Sequence, residues 1–504
     1  MSLTRPRDGS SASRVRDLPV DAAHQLEVAP SPGPSWTGEV VRWFVCLGVW
    51  VACLPGLVPD VAVSDRGTFV SVAERLAAGD RLYVDVWDNQ DPLFFYANGL
   101  VRWVSPWLDP VLEVGWACLA AAGLAMVARH LGVRHATPLA WTVMPLAIVG
   151  RFVLAGHTHL PGTAVALLVM GLLVTGRSRG AGLALGVLLF LKVTIAPVAL
   201  VAVVAWLAAR RDAKAFARGL AGACAAIACC VLVMFARGDL VGYVAAIGSN
   251  VGYTDPGWLG SDQNPLLAHL SRVRSRYSAI AVAVLGVALA WAGAGRDRVE
   301  GDLVRPLWWA AVASFGSAVG VLAATAYWPH HLQALTFPTA LVIAIVARRL
   351  ANRPTVVVWL AVPLVAWLGA GAVSPQAVSG SFLHAPQALV RSATPAPITA
   401  GLVDGASASF ARLGQNSSGE GTGLRGWTLS CRRFHQYPFE PAQAFEETVD
   451  CLPKAEVVLV SDNFTIQAGR NEWNRFVAQS EERLADGFGC EAVEGGRVCR
   501  RRAV

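Results

Sequence analysis

The sequence predicts an α-helical polytopic membrane protein with a small extracytoplasmic α/β domain at its C-terminal end. Apolar runs long enough to cross a bilayer recur between residues 40 and 373. Of the 504 residues, 54% are hydrophobic and only 15% are charged, whereas about a quarter of a typical soluble protein is charged. Four of the ten cysteines lie beyond residue 425, outside the apolar runs. These observations exclude a single large soluble enzyme.

Composition divides the chain into four regions. Residues 1–38, rich in Ser, Pro, Asp and Arg, are predicted to be a disordered cytoplasmic head. Residues 39–373 are the predicted transmembrane domain, whose outer loop 59–109 bears surface helices. Residues 374–424, rich in Ser, Ala, Gly and Pro, predict a linker, and residues 425–504 predict an extracytoplasmic soluble domain.

The apolar runs predict about eleven transmembrane helices, at residues 40–58, 110–128, 137–153, 161–176, 180–192, 195–208, 219–236, 278–294, 306–325, 331–347 and 355–373. The first run is predicted to be a signal anchor rather than a cleaved signal peptide. The fifth and sixth runs are short for a full crossing, and Lys192 lies at their junction. We therefore expect two short or broken helices that meet at depth.

The basic residues set the predicted orientation in the cell membrane. They concentrate in the head and in alternate short loops, which places the N-terminus in the cytoplasm and the C-terminal domain outside. The net charge of +7 is therefore not a nucleic-acid signal. This alternation requires that the apolar stretch 92–108 does not cross the membrane. We expect it to lie on the outer surface, with Trp103 and Trp107 at the interface.

The C-terminal region has the patterns of a folded domain. Residues 455–461 predict a strand, residues 472–485 an amphipathic helix, and residues 490–499 a hairpin around Gly495 and Gly496. Four cysteines in an oxidising space predict two disulfides, formed by Cys431, Cys451, Cys490 and Cys499. Spacing does not fix the pairing, but a bridge across the hairpin is favoured, which leaves the other two as a pair. Zinc is the disfavoured alternative, because no CxxC pair is present.

The segment 59–91 is the most informative part of the outer loop. It holds seven acidic residues against three arginines, with aromatic residues among them. Such a loop at a membrane face favours a polar, hydroxylated ligand. For Asp60 and Asp80 a solvated role is favoured. The remaining pattern is an Asp just after the first span, a short helix, and then Gly79-x-x-x-Tyr83-x-Asp85-x-x-Asp88-x-x-x-Pro92-Leu93.

This pattern resembles the opening of GT-C superfamily glycosyltransferases, which are multispan enzymes that use polyprenyl-phosphate sugars. Protein mannosyltransferases and the lipid A aminoarabinose transferase are among them. The detailed resemblance covers about residues 40–130, and it implies that Asp65 is the catalytic base. The chain departs from many relatives at Gln90, where Lys is frequent, and at Asp91-Pro92, where Pro-Pro is frequent.

The chemistry of sugar transfer agrees with an acidic base. A carboxylate takes the proton of the acceptor hydroxyl, and cationic groups stabilise the leaving phosphate. Lys192, one of only three lysines, is the first candidate for the phosphate, with a snorkelling lysine as the alternative. Arg272, Arg274 and Arg276, before the eighth span, are further candidates for the phosphate, with an interfacial anchor as the alternative. Arg66, Tyr83, Asp85 and Asp88 in the outer loop are also predicted to bind substrate.

Two histidine groups lie in short outer turns, where polar residues at bilayer depth are usually functional. They are His157 and His159, and His330, His331 and Gln333. These residues are predicted to bind sugar hydroxyls or phosphate. A divalent metal is the alternative, although His-x-His and His-His spacing alone is a weak signal.

The sequence thus predicts an integral-membrane glycosyltransferase that moves a sugar from a polyprenyl-phosphate donor to a glycan, lipid or protein acceptor of the cell envelope. The alternatives are a lipid-linked-sugar transporter or flippase, and a non-catalytic envelope-assembly protein. A transporter would place ionisable groups in mid-span and show repeated halves. Here the polar groups crowd at the outer ends of the spans, which favours an enzyme. No nucleic acid partner is expected.

Overall fold

The computed structural model describes residues 36–58, 65–149, 156–253, 298–324, 333–349, 386–388, 390–391, 393–403, 408–415, 424–438, 440, 442–467 and 470–502. The chain divides into two compact units, Met1–Val45 and Cys46–Val504. The functional site and the C-terminal sheet both lie within the second unit.

Helices dominate the described residues before residue 350. The described ones are α1 (Trp36–Cys53), α2 (Arg66–Ala77), α3 (Pro92–Val104), α4 (Asp109–His130), α5 (Ala136–Val149), α6 (His159–Val174), α7 (Ser178–Leu191), α8 (Ala196–Arg210), α9 (Ala213–Arg237), α10 (Leu240–Tyr253), α11 (Arg298–Ala324) and α12 (Thr336–Arg349). Short 3-10 turns follow α1 at Leu54–Leu57 and precede α4 at Pro106–Leu108. The expected break between two short apolar helices falls at residues 192–195, as the sequence predicts.

Two helices of the described part are long and apolar enough to cross a membrane, Pro106–His130 and Ala213–Arg237. Three shorter apolar helices accompany them, α6, α7 and α8. The total of eleven spans therefore stays a prediction, and the predicted spans 278–294 and 355–373 lie outside the described residues. The sequence interpretation missed α10, which lies beside the outer loop.

Small residues allow the apolar helices to approach closely. A Cβ atom added to Gly182 in α7 would lie 1.8 Å from the Gly219 carbonyl oxygen in α9. A Cβ atom on Gly123 in α4 would lie 2.5 Å from the Leu167 carbonyl carbon in α6. Because apolar side chains gain little from leaving lipid for protein, close backbone packing of this kind is the main attraction between helices in a bilayer.

The C-terminal domain is a five-stranded sheet with helices against it. The strands are β1 (Ser409–Leu413), β2 (Thr428–Leu429), β3 (Val457–Ser461), β4 (Phe488–Val493) and β5 (Gly496–Arg501), in the order β2-β1-β3-β5-β4. The helices are α13 (Pro397–Val403), α14 (Ala442–Cys451) and α15 (Asn471–Gly487). Strand β1 is parallel to β2 and β3, whereas the hairpin β4–β5 is antiparallel. Trp473 and Phe476 of α15 fill the core beneath the sheet.

The predicted strand, helix and hairpin of this domain are confirmed, and so are both favoured disulfides, Cys431–Cys451 and Cys490–Cys499. The predicted linker 374–424 is wrong in its extent. Residues 409–413 form β1, which pairs with strands on both sides and is buried over most of its length. The folded domain therefore begins well before residue 425.

Candidate functional site

Asp65 stands at the start of α2, but its side chain does not cap the helix. The backbone carbonyl of Asp65 accepts the N–H of Phe69 at 3.0 Å, while the carboxylate makes no capping hydrogen bond. Instead, Asp65 Oδ2 lies 3.6 Å from His157 Nε2, and 24% of the Asp65 side chain is exposed. A carboxylate that does not cap its helix and is partly exposed is available to take a proton from a ligand.

His157 and His159 stack on each other in the turn that leads into α6. Their ring centroids are 5.0 Å apart, and their Nδ1 atoms are 2.9 Å apart. One Nδ1 therefore donates and the other accepts. Gly156, at φ +73°, adopts the left-handed conformation that favours glycine in this turn. The turn thus brings His157 to Asp65 and stacks His159 on His157, and the functional role of this segment stays a prediction.

The loop between α2 and α3 is held in a tight, unusual conformation. Tyr83 has φ +65°, a left-handed geometry that is rare for a large side chain. Its hydroxyl donates to the Gln90 carbonyl oxygen at 2.6 Å, and its N–H donates to the Val86 carbonyl oxygen at 2.6 Å. A Cβ atom on Gly242 of α10 would lie 2.4 Å from Tyr83 Cβ. Tyr83 is therefore buried within the loop and stabilises its conformation.

Lys192 occupies the break between α7 and α8 and reaches the outer loop. Its Nζ donates to Gln90 Oε1 at 2.9 Å, and the side chain is largely buried. The carboxylate of Asp91 accepts from Val193 N–H at 3.0 Å and from Tyr243 O–H at 3.1 Å. The two positions where the chain departs from the GT-C pattern, Gln90 and Asp91, are therefore the ones that tie the loop to the helix break.

The C-terminal domain contributes His435 to the same place. His435 Nε2 lies 3.3 Å from Asp88 Oδ2, and both side chains are fully buried. Asp88 Oδ1 accepts the N–H of Gln90 at 2.7 Å. We use the name Asp65 cluster for the side chains that this arrangement gathers, namely Asp65, Asp88, Asp91, His157, Lys192 and His435.

Electrostatics separate the two central carboxyl groups. Burial raises the pKa of Asp65, but contact with His157 and smaller contributions from His435 and Lys192 outweigh burial, so the pKa lies below its ordinary value. Burial raises the pKa of Asp88 to about 8, and the charge of Asp65 adds to that rise. At neutral pH, Asp65 is therefore an ionised carboxylate and Asp88 a neutral acid. Two acidic groups with opposite protonation states are typical of an acid–base site.

A second charged group, which we name the Arg102 network, lies nearby, and each of its charged side chains forms an ion pair. Arg102 donates to Glu74 Oε1 at 2.7 Å and to Asp109 Oδ2 at 2.6 Å. Arg66 donates to Asp109 Oδ2 at 3.0 Å. From the C-terminal domain, Arg425 donates to Glu74 Oε2 at 2.9 Å. The network joins α2, α3, α4 and the C-terminal domain, so Arg66 acts here as a structural residue.

Other predicted site residues have different positions. Asp85 forms a half-exposed pair with Arg81, with Oδ2 2.9 Å from Arg81 Nε. Gln333 is buried, and its amide atoms have no hydrogen-bond partner among the residues that the structure describes. The remaining predicted residues, Arg272, Arg274, Arg276, His330 and His331, lie outside the described residues. Within the described part of the chain, no group of three or more His, Cys, Asp or Glu residues could hold a metal ion.

The sequence interpretation missed the residues that the C-terminal domain brings to the site. Besides His435, they are Arg433 and Glu440, whose side chains pair at 3.0 Å. The run of basic and aromatic residues that follows Cys431 was the available signal. Nothing in that run indicates which surface it contacts.

Comparison with solved structures gives a distant likeness. No protein-family model matches the chain, and no curated protein matches it. The chain is similar to the solved structure of the oligosaccharyltransferase of Archaeoglobus fulgidus, which is tethered with an acceptor peptide through a disulfide. The two are 10% identical with a TM-score of 0.47, over 93% of this chain and 75% of that one. That enzyme has a GT-C fold.

Proposed function

We propose that this chain is an integral-membrane glycosyltransferase that moves a sugar from a polyprenyl-phosphate donor to a hydroxyl acceptor at the outer face of the membrane. The observation that carries the proposal is the Asp65 carboxylate, which is partly exposed, contacts His157 and lies within electrostatic reach of Lys192. An accessible anion beside a buried cation suits a reaction in which a hydroxyl loses a proton while a phosphate departs.

Asp65 would act as the general base. The acceptor oxygen attacks the anomeric carbon of the donor sugar, and its proton passes to the Asp65 carboxylate. The bond from the anomeric carbon to the phosphate oxygen breaks, and that oxygen keeps the electron pair. Because the leaving group is a phosphate, no strong acid is required. The low pKa of Asp65 keeps the base ionised at neutral pH.

Lys192 would hold the departing phosphate. An ammonium has three donors, and among the described residues Gln90 takes one of them at 2.9 Å. Gly162 in α6 lets this lysine sit close, since a Cβ atom there would lie 2.9 Å from Lys192 Cβ. The acceptor would be a glycan, lipid or protein of the cell envelope, and its hydroxyl would approach Asp65 from the exposed side.

The test is a transfer assay with the full chain in lipid nanodiscs. The probes are decaprenyl phosphates that carry radiolabelled mannose, glucose or arabinofuranose, and the readout is release of decaprenyl phosphate in the presence of cell-envelope extract. We expect release with one donor, and an Asp65→Asn loss of about 10²- to 10⁴-fold, the usual contribution of a general base.

The matched control is Asp80→Asn. Asp80 belongs to the same loop but pairs with Arg75 at 2.7 Å, and the amide keeps that acceptor. It should leave turnover unchanged. Near-wild-type release by Asp65→Asn would overturn the role of this residue. Movement of the sugar lipid across the bilayer without release would favour a flippase.

A further inference from the structure

The segment 431–436 of the C-terminal domain is held rigidly within its own domain. The Cys431–Cys451 disulfide fixes its start to α14. The Gln436 side chain donates to the carbonyl oxygens of Arg412 and Arg433 at 3.1 Å and 3.0 Å, and it accepts the N–H of Gly414 at 3.0 Å. This segment is therefore preorganised for a contact, and little conformational entropy is lost when it docks.

The rigid segment contacts the outer loop at Trp87, the residue that precedes Asp88. Trp87 N–H donates to the Arg432 carbonyl oxygen at 2.7 Å. The guanidinium of Arg433 lies 4.0 Å from the centroid of the Trp87 ring, a cation–π distance. The next residue of the loop is Asp88, which faces His435. The C-terminal domain thus contacts the loop through one backbone hydrogen bond and one cation–π contact.

Burial of His435 in this position costs free energy. It is fully buried, and neither ring nitrogen has a hydrogen-bond partner among the described residues. The nearby Asp88 Oδ2 is also without a hydrogen-bond partner among them, although His435 Nε2 is only 3.3 Å away. Buried polar groups left unsatisfied cost free energy, and each one in a folded protein needs an explanation. A bond that closes when substrate binds would provide one.

We propose that the C-terminal domain completes the active site by supplying His435, a positioning residue that holds the Asp88 carboxyl group beside the base Asp65. The proposal rests on the proposed glycosyl transfer. The 3.3 Å contact shortens to a hydrogen bond in the loaded site, where a shift of about 1 Å can change the rate 100-fold. Sugar transfer therefore requires the soluble domain in its docked position.

The first experiment measures kcat and the donor KM in nanodiscs, with the decaprenyl-phosphate sugar that the transfer assay identifies. His435→Ala should lower kcat about 100-fold and leave the donor KM within twofold, because Lys192 is untouched. His435→Gln keeps a side-chain donor and should recover most of kcat. His435→Ala combined with Asp88→Asn should lose no more than the larger single change, since coupled residues are not additive. Arg475→Ala, at an exposed pair in α15, is the control that should change nothing.

The second experiment does not depend on turnover. Amide hydrogen exchange over residues 81–91 reports whether the loop is docked. The Trp87 amide should be equally protected in wild type and in Arg475→Ala. In His435→Ala the same amide should exchange about tenfold faster.

The two measurements separate the two proposals. Exchange of the wild-type Trp87 amide at the rate of an exposed loop overturns docking, whatever the activity. Wild-type kcat in His435→Ala, or losses that multiply in the double variant, overturns the positioning role. No release from any donor, with docking intact, overturns the proposed function alone.

Discussion

The Arg102 network and the Asp65 cluster lie in the same part of the molecule and differ in how completely their charges are paired. In the network, two carboxylates receive three arginines at distances of 2.6 to 3.0 Å. In the cluster, Asp65 and Asp88 contact histidines at 3.6 and 3.3 Å, beyond an ordinary hydrogen bond. Both groups join the outer loop to other elements, but only in the network does every carboxylate receive an arginine at hydrogen-bond distance.

This difference separates structure from function within one loop. Buried charges that find partners hold elements in place, and removing one partner is strongly destabilising. Groups that are poorly satisfied cost stability and persist where a ligand or a reaction uses them. The same loop therefore contributes to both groups. Substitutions in the Arg102 network should affect stability, and substitutions in the Asp65 cluster should affect turnover.

The largest effect on stability is expected at Glu74. Glu74→Leu leaves Arg102 and Arg425 without their shared acceptor, and the loss of one partner from a buried pair costs about 3–5 kcal/mol. The measurement is the melting midpoint in detergent, together with the yield of folded protein. Asp85→Asn, in the exposed pair with Arg81, is the matched control and should leave the midpoint unchanged. Equal melting midpoints for the two variants would contradict the structural role of the Arg102 network.

A smaller effect, confined to the donor, is expected at Lys192. Lys192→Met keeps the apolar stem and removes the ammonium, so donor KM at fixed acceptor should rise by the equivalent of about 1.5–3 kcal/mol, one hydrogen bond to a charged group. Lys192→Arg should recover only part of this loss, because a planar fork does not replace a compact ammonium. Lys454→Met in the C-terminal domain is the control. An unchanged donor KM would leave Lys192 as a structural tie to Gln90.

The sequence could predict the parts of the site that local pattern determines. Asp65 follows an apolar run and precedes an amphipathic helix, and Lys192 separates two runs that are each too short to cross a bilayer. Hydrophobic length and a single charge suffice to single out Lys192, whereas the choice of Asp65 rests on the resemblance of the outer loop to GT-C enzymes. The disulfides were equally accessible, because four cysteines outside the apolar runs leave few pairings.

Local pattern could not predict the contribution of the C-terminal domain. His435 meets Asp88 through tertiary docking across 347 positions of sequence, and no spacing rule covers such a contact. Strand β1 was not predicted for a related reason. It lies between two parallel neighbours and carries the buried Arg412, so its sequence lacks the polar alternation of a half-exposed strand.

The smallest predicted effect concerns pH and tests the buried pair directly. Burial raises the pKa of Asp88 to about 8, helped by Asp65 and Glu440 and opposed by Lys192. Burial lowers the pKa of His435 to about 3, with Arg412 and Arg433 acting in the same direction and Asp65 against it. The folded pair therefore holds one proton, on Asp88, between about pH 3 and about pH 8.

The unfolded pair also holds one proton between the ordinary pKa values of 3.8 and 6.5. Above pH 6.5 it loses that proton while the folded pair keeps its own, so the pair's contribution to stability falls as pH rises from 6.5 towards 8. Over that range one proton corresponds to about 2 kcal/mol. Burial also raises the pKa of Glu440, to about 7, which adds a decline at lower pH that does not depend on Asp88.

Melting midpoints of wild type and Asp88→Asn at pH 6.5 and pH 8 isolate the pair. Wild type should lose more stability than the variant over this interval, because the amide does not titrate and the Glu440 contribution is common to both. Asp80→Asn should keep the wild-type slope. Parallel slopes in wild type and Asp88→Asn would mean that the folded pair holds no proton above pH 6.5, with Asp88 ionised and His435 neutral. The cluster would then carry a second anion beside Asp65, without a proton on His435 to balance it.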